Sequence, residues 1–244
     1  MHPKQGQNTP DGPPSRTAVI GDVAVPKRSA VRAGIPYRGL LAASSRQLLG
    51  KRVMDIVLAL LALILLSPVL LVTAAAIKLS SAGPVLYRQE RVGRDAKPFR
   101  MFKFRSMCMD AERQRSAYRD LNECTGPNFK IRHDPRVTAV GRVLRKWSID
   151  ELPQLLNVIH GEMSLVGPRP PLPDECERYG PRERQRLLVK PGLTCIWQVS
   201  GRSDIEFTEQ VRMDLDYIAN WNLVMDVKLL ARTVPAVLER RGAY

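Results

Sequence analysis

Two adjacent acidic residues, Asp150 and Glu151, are the residues of this 244-residue sequence best suited to chemistry. They follow Ser148 at a predicted helix start, where free backbone N–H groups and the helix dipole favour anions. Basic residues lie on both sides, at Arg142, Arg145, Lys146 and Arg169. Adjacent carboxylates beside guanidinium groups suit magnesium and phosphate together. The alternative is a capping box, in which Glu151 caps the helix and Asp150 complements its dipole.

The segment Pro168-Arg169-Pro170 is a second candidate for phosphate chemistry. The prolines restrict the backbone on either side of one arginine, so its guanidinium is pre-organised to bind phosphate through two N–H groups. The alternative is a rigid loop that happens to carry a surface arginine.

A further acidic candidate is Asp214-Leu215-Asp216, which has the D-x-D spacing of many metal-dependent nucleotide-sugar enzymes. Residues two apart do not share a face of a helix. We therefore interpret this segment as a solvent-exposed helix face.

The overall charge indicates an anionic partner. With 38 Lys and Arg against 24 Asp and Glu, the net charge is +14, which suits nucleic acid, anionic lipid headgroups or a phosphorylated substrate. The four cysteines (Cys108, Cys124, Cys176 and Cys195) form no C-x-x-C pair, and there are three histidines. This pattern indicates no zinc site or disulfide framework, and it fits a reducing, cytoplasmic setting.

One apolar run of 25 residues, Val53 to Ile77, has Asp55 as its only charge. It exceeds the roughly 18 residues that indicate membrane insertion. Ser67-Pro68 interrupts it, and proline breaks or kinks a helix. Both flanks are basic, which favours keeping both ends cytoplasmic. We expect a re-entrant helix-break-helix, with a kinked single-pass helix as the alternative.

These elements give the expected organisation: a flexible basic tail at 1–45, the membrane anchor at 46–80 and a cytoplasmic domain at 81–244. Alternating residues from Phe99 to Arg105 predict a strand with one basic face, or an edge strand whose basic face is solvated. Further predictions are helices over 137–146, 148–159, 178–188, 205–220 and 223–238, and a strand over 194–199. The expected fold class is therefore α+β, mostly helical with a small β element, anchored by the re-entrant pair in one membrane leaflet.

Six segments together resemble the bacterial sugar transferase family, the monotopic polyprenyl-phosphate phosphoglycosyl transferases. They are KRVMD at 51–55, KFRSM at 103–107, SIDELPQ at 148–154, MSLVGPRP at 163–170, KPGLT at 190–194 and WQVSGR at 197–202. The similarity runs in the family's order from residue 46 to about 240. Two small departures are Cys195, where many relatives have glycine, and Ser106, where threonine is common.

The resemblance implies a two-step reaction at the cytoplasmic face of the bacterial inner membrane, with Ser67 and Pro68 at the membrane break. The Asp150 carboxylate would attack the β-phosphate of a UDP-sugar, release UMP and form an aspartyl sugar-phosphate. Undecaprenyl phosphate would then accept the sugar phosphate, as the first step of exopolysaccharide or related glycan assembly. The resemblance favours UDP-galactose as the donor and leaves the oligomeric state open.

The resemblance also implies roles for individual residues. Magnesium would be held by Asp150 and Glu151. Arg145 and Arg169 match positions that contact phosphates or the nucleotide, and Lys103, Arg105 and Asp226 match other active-site positions. The basic excess then serves anionic membrane lipids and phosphorylated substrates rather than nucleic acid.

Two other functions compete with this one. A non-catalytic membrane adapter would explain the anchor and the charge, but not the acidic pair beside fixed arginines. A metal-dependent glycosyltransferase using Asp214 and Asp216 would release UDP instead of UMP.

Overall fold

The computed structural model describes residues 39–123, 127, 129 and 131–239. The predicted tail lies outside this range up to residue 38. Within it the α-helices are α1 (Ser45–Leu65), α2 (Ser67–Ser80), α3 (Ala111–Gln114), α4 (Ala139–Lys146), α5 (Gln154–His160), α6 (Pro173–Glu177), α7 (Phe207–Asn220) and α8 (Leu223–Glu239). The strands are β1 (Leu86–Val92), β2 (Pro98–Phe104), β3 (Ser164–Val166) and β4 (Gly192–Thr194). This composition confirms a mostly helical α+β fold.

The break between α1 and α2 has a local cause. Pro68 has no N–H to donate to the carbonyl of Ile64, four residues earlier. The Ser67 hydroxyl donates to that carbonyl instead, at 2.8 Å, and Leu66 lies between the two helices. The helices meet at a bend of 62°. Among the described residues no single helix is long and apolar enough to cross a membrane, whereas this bent pair is by its combined length and composition.

The sheets are small. β1 and β2 form an antiparallel hairpin in which Leu86 lies opposite Phe104, while β3 and β4 pair in parallel. Beyond β3, Gly167 and Gly192 pass so closely that a side-chain carbon on Gly192 would lie 2.1 Å from the Gly167 nitrogen. Only glycine permits this approach, which lets the chain after β3 continue along β4.

The main hydrophobic core lies behind these strands. It packs Met101 of β2, Val158 of α5, Leu165 of β3 and Ile218 of α7 in one buried cluster. The cluster fixes the elements that carry the sequence motifs relative to one another, since close-packed interiors move little.

Several predicted element boundaries differ from the structure. The predicted helix 148–159 is a 3-10 turn at Ile149–Glu151 followed by α5, because Pro153 cannot donate a helical hydrogen bond. The predicted helix 178–188 is wrong: α6 ends before it at Glu177, and after Gly180-Pro181 the segment forms only a 3-10 turn at Glu183–Leu188. The predicted strand 194–199 ends at Thr194 and continues as a 3-10 turn, Trp197–Val199. The predicted helices 137–146, 205–220 and 223–238 are confirmed as α4, α7 and α8.

Candidate active site

Asp150 sits in a turn that holds its backbone tightly. The preceding helix, α4, is capped by the Thr138 hydroxyl, which accepts from the Gly141 N–H at 2.9 Å. The chain then reaches Ser148, whose φ is 56°. A left-handed conformation is unfavourable for serine and is maintained by the surrounding structure. Ser148 makes no side-chain cap, so the capping-box alternative for this segment is wrong. The 3-10 turn that follows buries Asp150, leaving 6% of it exposed.

A cavity of about 560 Å³ opens in front of this turn. That volume lies within the range of ligand sites, about 300–1,000 Å³. Asp150 and Glu151 line it together with Lys103, Arg145, Arg169 and Arg202. The four basic side chains lie near this acidic pair, so this part of the cavity suits an anionic ligand. Other acidic residues, Glu123, Glu175, Asp204 and Glu206, also reach the lining.

Glu151 is held by two cations from different elements. Lys103 of β2 donates to Glu151 Oε1 at 2.9 Å, and Arg169 lies 3.9 Å from the same oxygen. The predicted strand and its basic residue are therefore present, and Lys103 faces the cavity. The alternative of a fully solvated basic face is wrong for Lys103.

Charge separates the acidities of the two carboxylates. Burial alone would raise the pKa of Glu151, but the charges of Lys103 and Arg169 outweigh it and lower the pKa to about 2. Burial raises the pKa of Asp150 above its ordinary value, and the negative charge of Glu151 adds to this. Two neighbouring carboxylates with divergent acidities are typical of sites where each has a different role.

The loop carrying Arg169 is fixed from both sides. The Gly192 N–H donates to the Pro168 carbonyl at 2.9 Å, and Arg91 donates to the Pro170 carbonyl at 2.9 Å. Arg91 is buried, and burial together with the charge of Arg169 lowers its pKa to about 10. The Arg169 side chain remains 38% exposed, so a rigid loop presents a partly exposed guanidinium to the cavity beside Glu151.

Sequence reasoning missed Arg91 and Arg202. Arg202 lines the cavity, has φ 54° and donates to the Ala236 carbonyl at 3.0 Å. Its position at the end of the WQVSGR segment is the sequence feature that could have indicated a place in the site. Arg91 carries no comparable signal, because its role depends on the Pro170 carbonyl 79 residues away.

Two predicted site residues lie outside the cavity lining. Arg105 is buried and donates to the carbonyls of Ser81 at 2.8 Å and Ala82 at 2.7 Å, just after α2. Asp226 is fully buried and bonds Lys51 at 2.6 Å. The structure thus brings Lys103, Arg145, Asp150, Glu151 and Arg169 together and gives Arg105 and Asp226 other surroundings.

The D-x-D segment does not form a metal pair. Asp214 is buried and forms an ion pair with Arg186 at 2.7 Å, whereas Asp216 is exposed and pairs with Arg212 at 2.8 Å. The predicted solvent-exposed face is right for Asp216 and wrong for Asp214, because the buried Arg186 supplies a compensating charge that the sequence does not reveal.

The carboxylates suit a metal that also binds substrate. Among the described residues, no group of three or more His, Cys, Asp or Glu side chains has the arrangement of a metal site. Magnesium needs only one or two carboxylates when substrate phosphates supply other ligands. Asp150 and Glu151 fit that requirement.

Comparison with known proteins gives a consistent result. The bacterial sugar transferase profile matches residues 46–240. The chain is 42% identical over 200 residues to the exopolysaccharide production protein ExoY of Sinorhizobium fredii, covering 80% of this chain and 88% of that protein. It is 45% identical over 207 residues to the UDP-glucose:undecaprenyl-phosphate glucose-1-phosphate transferase of Caulobacter vibrioides, covering 80% and 72%.

A third relative is the undecaprenyl-phosphate galactose phosphotransferase of Salmonella typhimurium, 44% identical over 198 residues. The alignment covers 80% of this chain and 41% of that longer protein. The residues that the profile matches contain the cavity lining and nearly all of the bent helix pair. The chain belongs to the bacterial sugar transferase family.

Proposed function

We propose that this enzyme transfers a sugar 1-phosphate from a UDP-sugar to undecaprenyl phosphate through a covalent intermediate on Asp150. The products are UMP and an undecaprenyl diphosphate sugar. The relatives named above for undecaprenyl-phosphate transfer support the substrates.

The observation that carries the proposal is the situation of Asp150. It lines a cavity with four basic side chains, and no other side chain in the described ranges donates a hydrogen bond to its carboxylate. A buried carboxylate without such donors is poorly stabilised, hence more reactive toward phosphorus once ionised. Glu151, held ionised by Lys103 and Arg169, is already engaged and is the less suitable nucleophile.

In the first step an Asp150 oxygen forms a bond to the β-phosphorus of the donor. The bond between that phosphorus and the bridging oxygen breaks, and UMP leaves with the bridging oxygen and its electron pair. Lys103, Arg145 and Arg169 lie around the cavity where the diphosphate charge would be. Their charges lower the repulsion between an anionic nucleophile and an anionic target.

In the second step an oxygen of the lipid phosphate attacks the same phosphorus. The bond to Asp150 breaks and the carboxylate is restored, so no net proton is consumed at this residue. The apolar part of the cavity wall, Leu230, Ala236 and Val237 of α8, suits the first isoprene units of such an acceptor.

Magnesium is the proposed metal, held by Asp150 and Glu151 with donor phosphates. When bound there, it supplies positive charge that neutralises part of the diphosphate. Lys103, which donates to Glu151 at 2.9 Å, would hold this carboxylate in place for the metal.

The α1–α2 pair is proposed to enter one leaflet and return to the cytoplasmic face of the bacterial inner membrane. Its large apolar side chains are exposed, among them Val57 (55%), Ile64 (69%) and Leu71 (72%). Exposed apolar surface of this extent requires a lipid or protein environment. The 62° bend and the basic residues on both flanks support a re-entrant path. Anionic lipid headgroups are the expected partners of those basic residues.

The test uses full-length protein in nanodiscs with undecaprenyl phosphate, magnesium and a panel of UDP-sugars. UDP-galactose is the first donor to try, since one relative is named for galactose and another for glucose. We expect UMP release with at least one donor, and a sugar phosphate bound to the protein when the lipid is omitted. Release of UDP, or labelling that survives in Asp150→Asn, contradicts the proposal.

The membrane path has its own test. Single cysteines placed at Leu49, Leu66 and Leu79 are treated with a membrane-impermeant thiol reagent in sealed inverted vesicles, in a background lacking the native cysteines. A re-entrant pair gives labelling at both ends from the cytoplasmic side. Labelling of Leu79→Cys only after the vesicles are opened indicates a single-pass helix instead.

A further inference from the structure

The helix α1 holds both ends of strand β3. Near the start of the strand, Asp55 Oδ1 accepts from the Ser164 hydroxyl at 3.1 Å and from the Leu165 N–H at 3.0 Å. At its end, Lys51 Nζ donates to the Val166 carbonyl at 3.1 Å. Lys51 and Asp55 are four residues apart and therefore lie on one face of the helix.

The Lys51 contact belongs to a closed polar cluster. Asp226 accepts from Lys51 at 2.6 Å, from the Tyr217 hydroxyl at 2.7 Å and from the Trp221 indole N–H at 3.0 Å. Tyr217 also lies 3.0 Å from the Val166 carbonyl. The Tyr217 hydroxyl has one proton, which it donates to Asp226 at the shorter distance, so Lys51 is the donor that holds the backbone oxygen at the end of β3.

The chain after Val166 is the loop that carries Arg169. Only Gly167 and Pro168 separate the clamped carbonyl from the arginine, and both are tied to β4 by backbone hydrogen bonds, Gly167 to Thr194 at 3.0 Å and Pro168 to Gly192 at 2.9 Å. A displacement of Val166 should therefore also displace Arg169, because the short segment between them has few freely rotating backbone dihedrals.

We propose that Lys51, with Asp226 and Tyr217, is a positioning group for Arg169, through which the membrane-associated helix α1 sets the geometry of donor binding. None of the three lines the cavity, so they act through the Val166 carbonyl. This inference rests on the proposed function, because the effect is read as binding of the UDP-sugar.

Geometry and charge favour positioning over simple attachment. α1 is already joined to the body elsewhere, by Arg52 donating to the Val158 and Ile159 carbonyls at 2.6 and 2.7 Å. Replacing a buried ion pair by apolar residues of similar volume is often neutral or stabilising, and in some proteins the pair instead specifies one arrangement. Here the arrangement specified is that of the strand end before Arg169.

The experiment compares four proteins in nanodiscs: wild type, Lys51→Met/Asp226→Asn, Arg169→Ala and the triple variant. The double substitution removes both buried charges together, which avoids leaving one unpaired. We expect the double variant to raise the KM for the UDP-sugar on the order of 10-fold, with the KM for undecaprenyl phosphate unchanged. In the Arg169→Ala background the same change should matter less than about 2-fold, because the group being positioned is gone.

Arg52→Met is the matched control, since it removes one cation from the same helix and frees two carbonyls that do not lead to Arg169. Its donor KM should stay within about 2-fold of wild type. Tyr217→Phe removes a hydroxyl that bonds Asp226 and lies against the Val166 carbonyl. It is the second variant if the double variant does not fold, and its effect should show the same dependence on Arg169.

Additive effects of Lys51→Met/Asp226→Asn and Arg169→Ala on kcat/KM overturn the inference. A fall in kcat at constant donor KM, or an equal rise in KM for Arg52→Met, also overturns it, since both indicate loss of folded enzyme or general loosening. Failure of wild type to release UMP contradicts the proposed function instead, so the two failures are distinguishable.

Discussion

Asp150 and Asp226 are both buried carboxylates in basic surroundings, yet their environments differ in one respect. Asp226 accepts three hydrogen bonds, from Lys51, Tyr217 and Trp221, and lies outside the cavity. Asp150 faces a cavity of about 560 Å³, and within the described ranges no other side chain donates to it. The first carboxylate is satisfied by the protein, and the second is left for a ligand.

This difference distinguishes a carboxylate that stabilises the fold from one that is available to react with a ligand. A fully paired buried carboxylate gains its stabilisation on folding and has none left for substrate. A buried carboxylate beside an ionised neighbour is held in an unfavourable state that a phosphoryl group or metal relieves. Folding therefore supplies the contacts that stabilise the Asp226 carboxylate, whereas the Asp150 carboxylate gains comparable contacts only from a bound ligand.

The largest expected effect is on catalysis, from Asp150→Asn. Loss of the nucleophile should lower the rate of UMP release by about 10⁴-fold or more. The melting temperature at pH 7.5 should not fall, because burial raises the pKa of this carboxyl and its charged form therefore destabilises the folded state at that pH. Calorimetry beside the UMP assay checks both statements. A variant that melts well below wild type shows that Asp150 is also structural, and the comparison with Asp226 then breaks down.

The next effect is on stability, from Asp226→Asn. This substitution leaves the Lys51 ammonium buried without its counter-charge, which costs about 3–5 kcal/mol. We expect a clearly lower midpoint in chemical denaturation. Adding Lys51→Met should recover most of the loss, whereas a double variant no more stable than Asp226→Asn would show that the paired charges are not the cause.

A subtler effect is expected on the pH dependence. The nucleophile must be ionised, so the rate falls as the pH drops through the pKa of Asp150, which is raised by burial. Lys103 lowers this pKa and Glu151 raises it. The acidic limb of single-turnover UMP release should therefore move to higher pH in Lys103→Met and to lower pH in Glu151→Gln. Shifts in the same direction would rule out Asp150 as the titrating group.

The smallest effect is expected at Asp216, compared with Asp214 two residues away. Asp216→Asn affects an exposed pair with Arg212 and should leave both the melting temperature and donor kinetics unchanged. Asp214→Asn leaves the buried Arg186 uncompensated and should destabilise the fold by about 3 kcal/mol. Loss of activity in Asp216→Asn with unchanged stability would revive a D-x-D mechanism.

Much of the fold was predictable because its signals are local. The interruption of the apolar run by Ser67-Pro68 predicts the break, since a missing N–H acts within one helical turn. The helices at α4, α7 and α8 follow from sequence periodicity. Boundaries at Pro153 and at Gly180-Pro181 were misplaced, although both residue types are known to interrupt helices.

The site was predictable in its residue types but not in its contacts. Lys103, Arg145, Asp150, Glu151 and Arg169 reach one cavity, as the resemblance implied. The role of Arg91 and the burial of Asp214 were not foreseen, because each depends on a partner far away in sequence: the Pro170 carbonyl for Arg91 and Arg186 for Asp214.

The sequence by itself determined the family, the acidic pair, the proline-flanked arginine and the bend, all of which depend on residue type and near neighbours. Only the tertiary structure decided which carboxylates are satisfied and which face a cavity. Asp150, Asp214 and Asp226 are the same residue type in the sequence. They differ in the long-range partners that folding brings to each side chain. Burial and pairing are properties of those contacts, and they set the charge state on which the chemistry depends.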